Sequence, residues 1–301
     1  MKKKILVIGG TGFIGFHLIK KLIKKNYNIH SISTNKPSKY RNIEGVKYIL
    51  SDISDLSKLK RDINKDIYEY VINLGGYVDH ANKKKTLASH YLGCKNLINI
   101  FSNSRIKKFI QMGSSGEYGA EKSPHYEKIN TKPLTIYNIA KKKASNILLK
   151  YFKKSNFPVI IFRLYLTYGP NQDDNRFIPI VVKNCLKQQS FDLSHCNQYR
   201  DFIYIDDVVN LIIKSFKVKK ANGEIFNIGT GKPIKLKVLV SKIKRYIKGG
   251  KPIFGVKQLR KDEINKIYPN MDKTINFFKW SPRTSIDKGL LKTIKFYKKL
   301  I

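Results

Sequence analysis

The chain has 301 residues, of which 42% are hydrophobic, so it can fill the core of one large α/β domain or of a nucleotide-binding domain with a smaller partner. No apolar run approaches the roughly 18 residues of a membrane-spanning helix, and the start, "MKKKILVIGG", is too short for the apolar region of a secretory signal, so we expect a cytoplasmic protein. The formal net charge of +39 would suit a nucleic-acid partner, but the lysines are spread through every segment, which argues against one.

The first half of the chain alternates between predicted strands and helices. The apolar run "KKKILVIGG" ends in glycines and predicts a buried strand, and "FIGFHLIKKLIKKN" has a helical apolar period that ends at Asn26. Further strands are predicted at "YNIHSIS", "VKYILSD", "YEYVINLGG", "KKFIQMGSS" and "FPVIIFRLYL", with helices over 84–103 and 137–154. This alternation predicts an α/β fold with a doubly wound parallel (Rossmann) sheet, whose ligands lie at the carboxyl ends of the strands.

The alternation stops after Leu166. "YGPNQDDNRF" is a polar loop, "IPIVVKNCLKQQ" predicts a helix entered through Pro179, and "RDFIYIDDVVNLIIKSF" predicts a short strand followed by a helix that Asp206 or Asp207 caps. "EIFNIGTG" predicts a further buried strand of the main sheet. We therefore predict two interleaved domains. The Rossmann domain comprises residues 1–165 and 202–232, and a second, smaller substrate-binding domain comprises residues 166–201 and 233–301.

A glycine-rich turn, "GGTGFIG", joins the first predicted strand to the first predicted helix. It can be read from Gly9 or from Gly10, in either case continuing through Gly12 and Gly15. Without side chains at these positions, backbone amides can approach a pyrophosphate at the helix N-terminus, where the helix dipole favours negative charge. The turn therefore predicts a dinucleotide site.

The end of the second strand, "SISTNKPSKYR", bears on the kind of dinucleotide. A ribose-binding acid usually stands there, but residues 33–35 are Ser-Thr-Asn. No carboxylate repels a 2′-phosphate, and Lys36, Lys39 or Arg41 could pair with one, so we predict NADP in preference to NAD. At the end of the third strand, Asp52 is placed either to accept from the adenine amino group or to cap a helix.

The segment "YNIAKKK" places Tyr137 four residues before Lys141, on one face of a predicted helix and with Cβ atoms about 6 Å apart. An ammonium so near stabilises a phenolate and lowers a pKa that is otherwise about 10. Tyr137 could then give a proton to a carbonyl that is being reduced, or take one from an alcohol that is being oxidised. In a chain with 60 Lys and Arg residues the pair can also arise by chance, so the other motifs of the chain must show whether it is functional.

Several ordered motifs together resemble the extended short-chain dehydrogenase/reductase family, which contains NAD(P)-dependent nucleotide-sugar epimerases, dehydratases and 4-ketoreductases. They span nearly the whole chain: "GGTGFIG", "MGSSGEYG", "YNIAKKK", "RLYLTYGP", "RDFIYIDDVV", "NIGTG" and "FFKWSPRTSIDKGL". The resemblance implies a nucleotide-sugar substrate and a catalytic set in which Ser114 hydrogen-bonds the reacting oxygen, Tyr137 moves the proton and Lys141 also holds the nicotinamide ribose. It further implies a homodimer formed through the helices around 84–103 and 137–154.

The resemblance also implies ligand contacts. The dinucleotide contacts expected are Gly9, Gly12, Phe13, Ile14, Gly15, Ser33, Thr34, Lys36, Asp52, Ile53, Leu74, Tyr137 and Lys141. The substrate contacts expected are Ser115, Arg176, Arg200 and Arg260, since the planar fork of arginine matches a pyrophosphate. Two residues depart from the family pattern, because Leu166 and His90 each stand where an asparagine is usual. No metal site is expected, since the three cysteines lack Cys-x-x-Cys spacing.

The residues after the fifth strand bear on the reaction. Dehydratases of the family carry Thr-Asp-Glu where this chain has Ser-Ser-Gly at 114–116, and Glu117 comes one place late, so dehydration is disfavoured. Reduction and epimerisation at C4 both need only Ser, Tyr and Lys. The missing acid after the second strand favours a reductase that exchanges NADPH, and three segments, "RLYLTYGP…NRFIP", "RDFIYIDDVVN" and "FGVKQLRKDE", are similar to CDP-abequose and CDP-paratose synthases.

Two alternatives to the reductase stay open. One is a 4-epimerase that keeps its NAD bound. The other is a protein without enzymatic activity that senses the cofactor or binds RNA on the same fold.

Overall fold

A computed structural model describes residues 3–77, 82–259 and 263–301. The strands are β1 (Lys4–Ile8), β2 (Asn28–Ser33), β3 (Val46–Leu50), β4 (Tyr68–Asn73), β5 (Lys108–Ser114), β6 (Val159–Leu164), β7 (Leu166–Tyr168), β8 (Ser190–Leu193), β9 (Tyr199–Arg200), β10 (Phe202–Tyr204), β11 (Glu224–Ile228), β12 (Ile234–Lys235), β13 (Lys251–Phe254) and β14 (Lys266–Ile267). The α-helices are α1 (Phe13–Lys24), α2 (Leu56–Asp62), α3 (Lys83–Leu87), α4 (Gly93–Phe101), α5 (Ile136–Ser155), α6 (Phe177–Leu186), α7 (Ile205–Ser215), α8 (Leu236–Ile247), α9 (Asp272–Phe278) and α10 (Ile286–Lys298).

Seven parallel strands form the main sheet in the order β11-β6-β5-β4-β1-β2-β3. The predictions of a doubly wound parallel sheet, and of a strand of that sheet at "EIFNIGTG", are confirmed. The strand order reverses between β1 and β4, and in such sheets a ligand binds in the crevice outside the carboxyl ends of the strands at this point. The glycine turn, which follows β1, and Leu74, which follows β4, both lie at this crevice.

Both faces of the sheet are covered, which explains why its strands read as continuous apolar runs. In β1, Val7 belongs to a hydrophobic cluster that includes Leu18 of α1. The next residue, Ile8, points to the opposite face and belongs to a second cluster, which includes Leu97 of α4. Successive strand residues point to opposite faces, so this alternation buries the whole strand.

The chain outside the main sheet forms smaller pairings. β8 pairs with β13, β9 pairs with β12 and β14, and β7 pairs with β10. The helices α6, α8 and α10 pack against one another. The division into two domains at the stated boundaries stays a prediction. In the described part of the chain, no helix combines the length and the apolar character that crossing a bilayer requires.

The expected helix cap at Asp206 or Asp207 is wrong. The N-cap of α7 is Tyr204, without a side-chain hydrogen bond, and both aspartates lie in the first turn of the helix. The Asp207 carboxylate instead accepts from the backbone N–H groups of Arg283 and Thr284, at 3.1 and 3.0 Å. This carboxylate therefore holds the segment before α10 against α7, a contact between residues 76 positions apart that no local pattern reveals.

The long helix predicted over 84–103 contains an interruption. It begins with α3 and ends with α4 at Phe101, but a π-helical turn, Ala88–Leu92, joins the two. Such single π-turns occur frequently at functional sites. The other long helix, predicted over 137–154, is continuous as α5.

Candidate active site

The glycine turn between β1 and α1 leaves room for a ligand next to the backbone. Gly9 has φ +78°, which favours glycine, and a Cβ on Gly15 would lie 2.3 Å from the carbonyl oxygen of Gly9. A Cβ on Gly12 would instead meet no described atom closer than that same oxygen, at 3.4 Å. The open space at Gly12 adjoins the N-terminus of α1, where Phe13 and Ile14 form the first turn. The turn therefore fits the pyrophosphate of a dinucleotide.

The residues at the end of β2 are open to solvent. Ser33 donates its hydroxyl to Ile32 O at 2.8 Å, and Thr34 and Lys36 are exposed. Arg41, one of three cations expected near a 2′-phosphate, is bound elsewhere. Its guanidinium donates to the Asp173 carboxylate at 2.6 Å and to Asn171 O at 2.7 Å. The prediction that Arg41 could pair with a 2′-phosphate does not match this geometry, because its guanidinium is already bound to the loop after β7.

At the end of β3, Asp52 is exposed and its carboxylate accepts from the N–H and the hydroxyl of Ser54, both at 2.8 Å. The alternative that Asp52 caps a helix is wrong, because the N-cap of α2 is Asp55. Ile53 is buried, and a Cβ on Gly93 would lie 2.5 Å from its side chain. The helix that contains the π-turn therefore packs directly on the segment expected to contact adenine.

Tyr137 and Lys141 lie on one face of α5, as their spacing predicted. The ammonium of Lys141 is 5.8 Å from the centre of the Tyr137 ring, and its side chain is only 4% exposed. It donates to Met112 O at 2.8 Å, in the strand whose last residue is Ser114. The structure therefore places the buried cation between the phenol and the strand that carries the serine.

The turn after β5 presents a hydroxyl to the carboxyl end of the sheet. The Ser114 hydroxyl oxygen accepts from Gly116 N–H at 3.1 Å, which leaves its hydrogen to be donated. A Cβ on Gly116 would lie 2.0 Å from the Asn138 side chain, so the first turn of α5 packs directly on this turn. Ser115, the expected substrate contact, is partly exposed next to it.

The Glu117 side chain points into the protein. Its carboxylate is fully buried and accepts from Ser114 N–H at 2.9 Å, from the Ser145 hydroxyl at 2.9 Å and from Arg163 Nε at 3.2 Å. Because Glu117 is the only acid between residues 113 and 119, this turn offers no carboxylate to a ligand.

His90 contacts Tyr137, which sequence reasoning missed. Its ring lies edge-on to the Tyr137 ring with 4.9 Å between centres, and Nε2 donates to Tyr77 O at 3.2 Å. A Cβ on Gly76 would lie 1.8 Å from the His90 ring, so the glycine leaves space for it. His90 lies in the π-turn, and a π-turn has no local sequence signal. The only sign of this contact in the sequence was that histidine stands at position 90, where asparagine is usual in the family.

The expected substrate arginines differ in their surroundings. Arg200 is buried, donates to Tyr199 O at 2.8 Å and Asn265 O at 3.2 Å, and forms an ion pair with Glu263. Burial lowers the pKa of Arg200, and the nearby Glu263 carboxylate opposes this shift. Arg176 is exposed at the N-cap of α6, and Arg260 lies outside the described residues.

Leu166 is the first residue of β7 and is 46% exposed. It comes two residues after Leu164, which is opposite Ser114 in the β5–β6 register. The departure from asparagine therefore puts an apolar side chain two residues beyond the strand residue that is paired with Ser114. Across the part of the chain that the structure covers, no group of three or more His, Cys, Asp or Glu residues could hold a metal.

Comparisons with known proteins agree with this architecture. The model of the NAD dependent epimerase/dehydratase family matches residues 5–229. CDP-abequose synthase of Salmonella muenchen and a putative UDP-glucose 4-epimerase of Methanocaldococcus jannaschii are each 28% identical, covering 98% of this chain and 98% of their own. The structure of UDP-glucose 4-epimerase of Thermotoga maritima has a TM-score of 0.93 at 24% identity, over 99% of both chains. At that identity the structural likeness speaks for the fold alone.

Proposed function

The chain belongs to the NAD dependent epimerase/dehydratase family, and on that premise we propose that it reduces the 4-keto group of a nucleotide-activated 6-deoxysugar. The observation that carries this proposal is the turn after β5, which offers the hydroxyl of Ser114 and no carboxylate. Elimination of water needs an additional acid and base, whereas carbonyl reduction needs only a polarised ketone and a proton donor. The inward-facing Glu117 therefore favours reduction over dehydration.

Each residue of the site would have its own role in the reduction. Ser114 donates its hydroxyl hydrogen to the ketone oxygen and polarises the carbonyl. A bound reduced nicotinamide supplies the hydride that adds to the carbonyl carbon. Tyr137 gives its phenol proton to the same oxygen, which completes the alcohol and leaves a phenolate. Lys141 stabilises this phenolate by its buried charge, and the phenol then regains a proton from solvent.

We propose NADPH as the preferred reductant. Residues 33–36 contain no carboxylate that would repel a 2′-phosphate. Because Arg41 is bound to Asp173, the cations expected to pair with the phosphate are the exposed Lys36 and Lys39. The glycine turn would hold the pyrophosphate.

A 4-epimerase is the second candidate. It is favoured by the loop after β7, which contacts two elements beside the dinucleotide crevice, α1 and the connection between β2 and β3. Pro170 O accepts from His17 Nε2 of α1 at 2.8 Å, and Asp173 accepts from Arg41 of the β2–β3 connection. A loop anchored this way would slow cofactor exchange, which suits an enzyme that retains NAD.

We propose that Arg176, Arg200 and Arg260 serve the nucleotide part of the substrate, in the smaller domain. We also propose a cytoplasmic homodimer that pairs α4 and α5 of two copies, and the exposed side chain of Leu92 beside α4 supports this.

The proposal is tested by mixing the purified chain with NADPH or NADH and a panel of UDP-, CDP-, GDP- and dTDP-linked 4-keto-6-deoxysugars. We expect the absorbance of the reduced nicotinamide to fall in step with formation of the 4-hydroxy product for at least one sugar. Tyr137→Phe should lower kcat by about 10²-fold or more, because the proton donor is lost. Tyr151→Phe, the same change elsewhere on α5, should leave kcat unchanged.

Two outcomes would replace this proposal. Interconversion of 4-epimers without net loss of the reduced cofactor, by protein that purifies with NAD, would establish the epimerase. No reaction with any sugar, together with salt-sensitive RNA binding that Tyr137→Phe leaves intact, would point to the non-enzymatic alternative.

A further inference from the structure

We infer that Glu117 and Ser145 form a positioning pair that fixes the catalytic helix to the catalytic turn. The inference rests on the proposed function only in assigning catalysis to Ser114, Tyr137 and Lys141. One carboxylate oxygen of Glu117 accepts from Ser114 N–H, and the other accepts from the Ser145 hydroxyl, each at 2.9 Å. Both side chains are fully buried, so neither touches a ligand.

Ser145 extends the stripe that carries the chemistry. Tyr137, Lys141 and Ser145 are spaced four residues apart, so they follow one another along one face of α5. Lys141 is bonded to Met112 O at 2.8 Å, and Ser145 is bonded to Glu117 one turn further on. Two anchors one turn apart set both the rotation of α5 and its position along its axis. The placement of the Tyr137 phenol relative to Ser114 depends on both.

The neighbouring strand compensates the charge of this carboxylate. Arg163 of β6 is buried and donates from Nε to Glu117 at 3.2 Å. Its guanidinium carbon lies 4.5 Å from the centre of the Tyr118 ring, which adds a cation–π contact. Burial by itself lowers the pKa of Arg163, but the Glu117 carboxylate and Tyr118 raise it overall. Removing either partner of such a buried ion pair would leave an uncompensated charge in the interior, which is strongly destabilising.

Gly113 makes the arrangement possible. A Cβ at this position would lie 2.4 Å from Glu117 Oε1, so any larger residue would push the carboxylate away. Gly113 is opposite Arg163 in the β5–β6 register, directly before Ser114. The segment "GSSGE" thus supplies the hydroxyl, the space and the carboxylate within five residues. A displacement of about 1 Å at a reacting group can cost roughly 10²-fold in rate, so such an anchor matters for catalysis.

The test is Ser145→Ala, which removes one hydroxyl and leaves the Glu117–Arg163 ion pair in place. We expect kcat to fall about 10-fold, with KM for the sugar and Kd for the dinucleotide within about twofold of wild type, because Ser145 itself contacts no ligand and most binding groups lie outside α5. Ser215→Ala is the matched control. Ser215 is equally buried and donates to Ile212 O at 2.7 Å, in α7. Loss of the Ser215 hydroxyl should leave kcat unchanged when both variants are assayed well below their melting temperatures.

A second measurement does not need turnover. Amide hydrogen exchange should become faster in residues 113–119 and in the first turn of α5 in Ser145→Ala, but not in Ser215→Ala. Glu117→Gln should show the same pattern more strongly, and if that variant does not fold, Ser145→Ala still decides. Unchanged exchange, or an equal loss of kcat in both serine variants, would overturn the inference. A wild-type protein inactive on every sugar would contradict the proposed function alone. The exchange data would then still test whether Glu117 and Ser145 fix α5 to the turn after β5.

Discussion

Ser33 is the residue at which we expect a single substitution to change the proposed cofactor preference. It ends β2, its hydroxyl donates to Ile32 O, and it is only partly buried. The guanidinium of Arg41, in the connection between β2 and β3, is already paired with Asp173 and with Asn171 O. The charge at the proposed position of the adenosine ribose therefore depends on residues 33–36 and on Lys39.

Ser33→Asp should turn the preference from NADPH towards NADH. The new carboxylate would accept from a ribose 2′-hydroxyl and would repel a 2′-phosphate. We expect the ratio of kcat/KM for NADPH to kcat/KM for NADH to fall by about 10²-fold, which corresponds to about 2.7 kcal/mol. The measurement is initial rate against concentration for both cofactors, with the sugar at saturation.

Ser241→Asp supplies the control for added charge, because Ser241 is exposed on α8, far along the chain from the glycine turn. It should leave the ratio unchanged. If Ser33→Asp also left the ratio unchanged, residues 33–36 would not face the ribose, and the proposed NADPH preference would lose its basis.

At the scale of elements, strands and helices can be predicted from the sequence wherever the apolar periodicity of neighbouring residues defines them. The glycine-terminated strand β1 and the continuous helix α5 were predicted correctly, because apolar periodicity and spacing are properties of neighbouring residues. The common face of Tyr137 and Lys141 follows from the same periodicity.

Features that depend on distant residues could not be predicted in this way. The π-turn brings His90 against Gly76 and Tyr137, and the three residues come from different elements. The pairing of Arg41 with Asp173 joins residues 132 positions apart. A cation that looks available in the sequence can therefore be bound in the fold, and a cap that looks well placed, such as Asp206, can lie inside its helix.

The glycine turn gives a prediction that separates folding from binding. Gly12→Ala should leave the free energy of unfolding near that of wild type, because its backbone (φ −78°, ψ 174°) suits alanine and the added Cβ meets only Gly9 O at 3.4 Å. It should nevertheless weaken dinucleotide binding at least about 10-fold, because the methyl group occupies the space proposed for the pyrophosphate. Urea unfolding and calorimetric titration with NADP and NAD measure the two effects.

Gly15→Ala is the companion variant. Its Cβ would lie 2.3 Å from Gly9 O and 2.5 Å from Gly10 Cα, both backbone atoms, so the turn itself must shift. We expect it to lose stability by about 1–3 kcal/mol as well as dinucleotide affinity. Dinucleotide binding by Gly12→Ala at wild-type affinity would show that no pyrophosphate lies at this turn.

For the whole molecule, the formal charge of +39 says little about where stability depends on pH, because exposed lysines keep their charge from pH 5 to 9. Buried and partly buried histidines matter more in this range. Burial is the largest influence on His17, His30 and His125, and it lowers the pKa of each below its ordinary value near 6.5. They lie in different parts of the fold, at α1, at β2 and before α5.

Stability should therefore fall as the pH is lowered from 7 to 5. The unfolded chain takes up protons on these histidines below about pH 6.5, whereas the folded chain resists doing so, and protonation then favours unfolding. Above pH 6.5 both states are neutral at these sites and the contribution is fully present. We expect the urea midpoint of unfolding to be lower at pH 5 than at pH 7, with an unchanged slope.

His30→Gln tests whether His30 contributes to the loss of stability between pH 7 and pH 5. His30 is bonded through Nδ1 to the Tyr68 hydroxyl at 2.7 Å, deep in the main sheet, and glutamine can keep a hydrogen bond without a titrating ring. This variant should be less stable than wild type at pH 7 but should lose less stability between pH 7 and pH 5. His195→Gln, at an exposed position, should follow the wild-type curve. A His30→Gln curve parallel to that of wild type would mean that His30 takes up its proton equally easily in the folded and the unfolded chain.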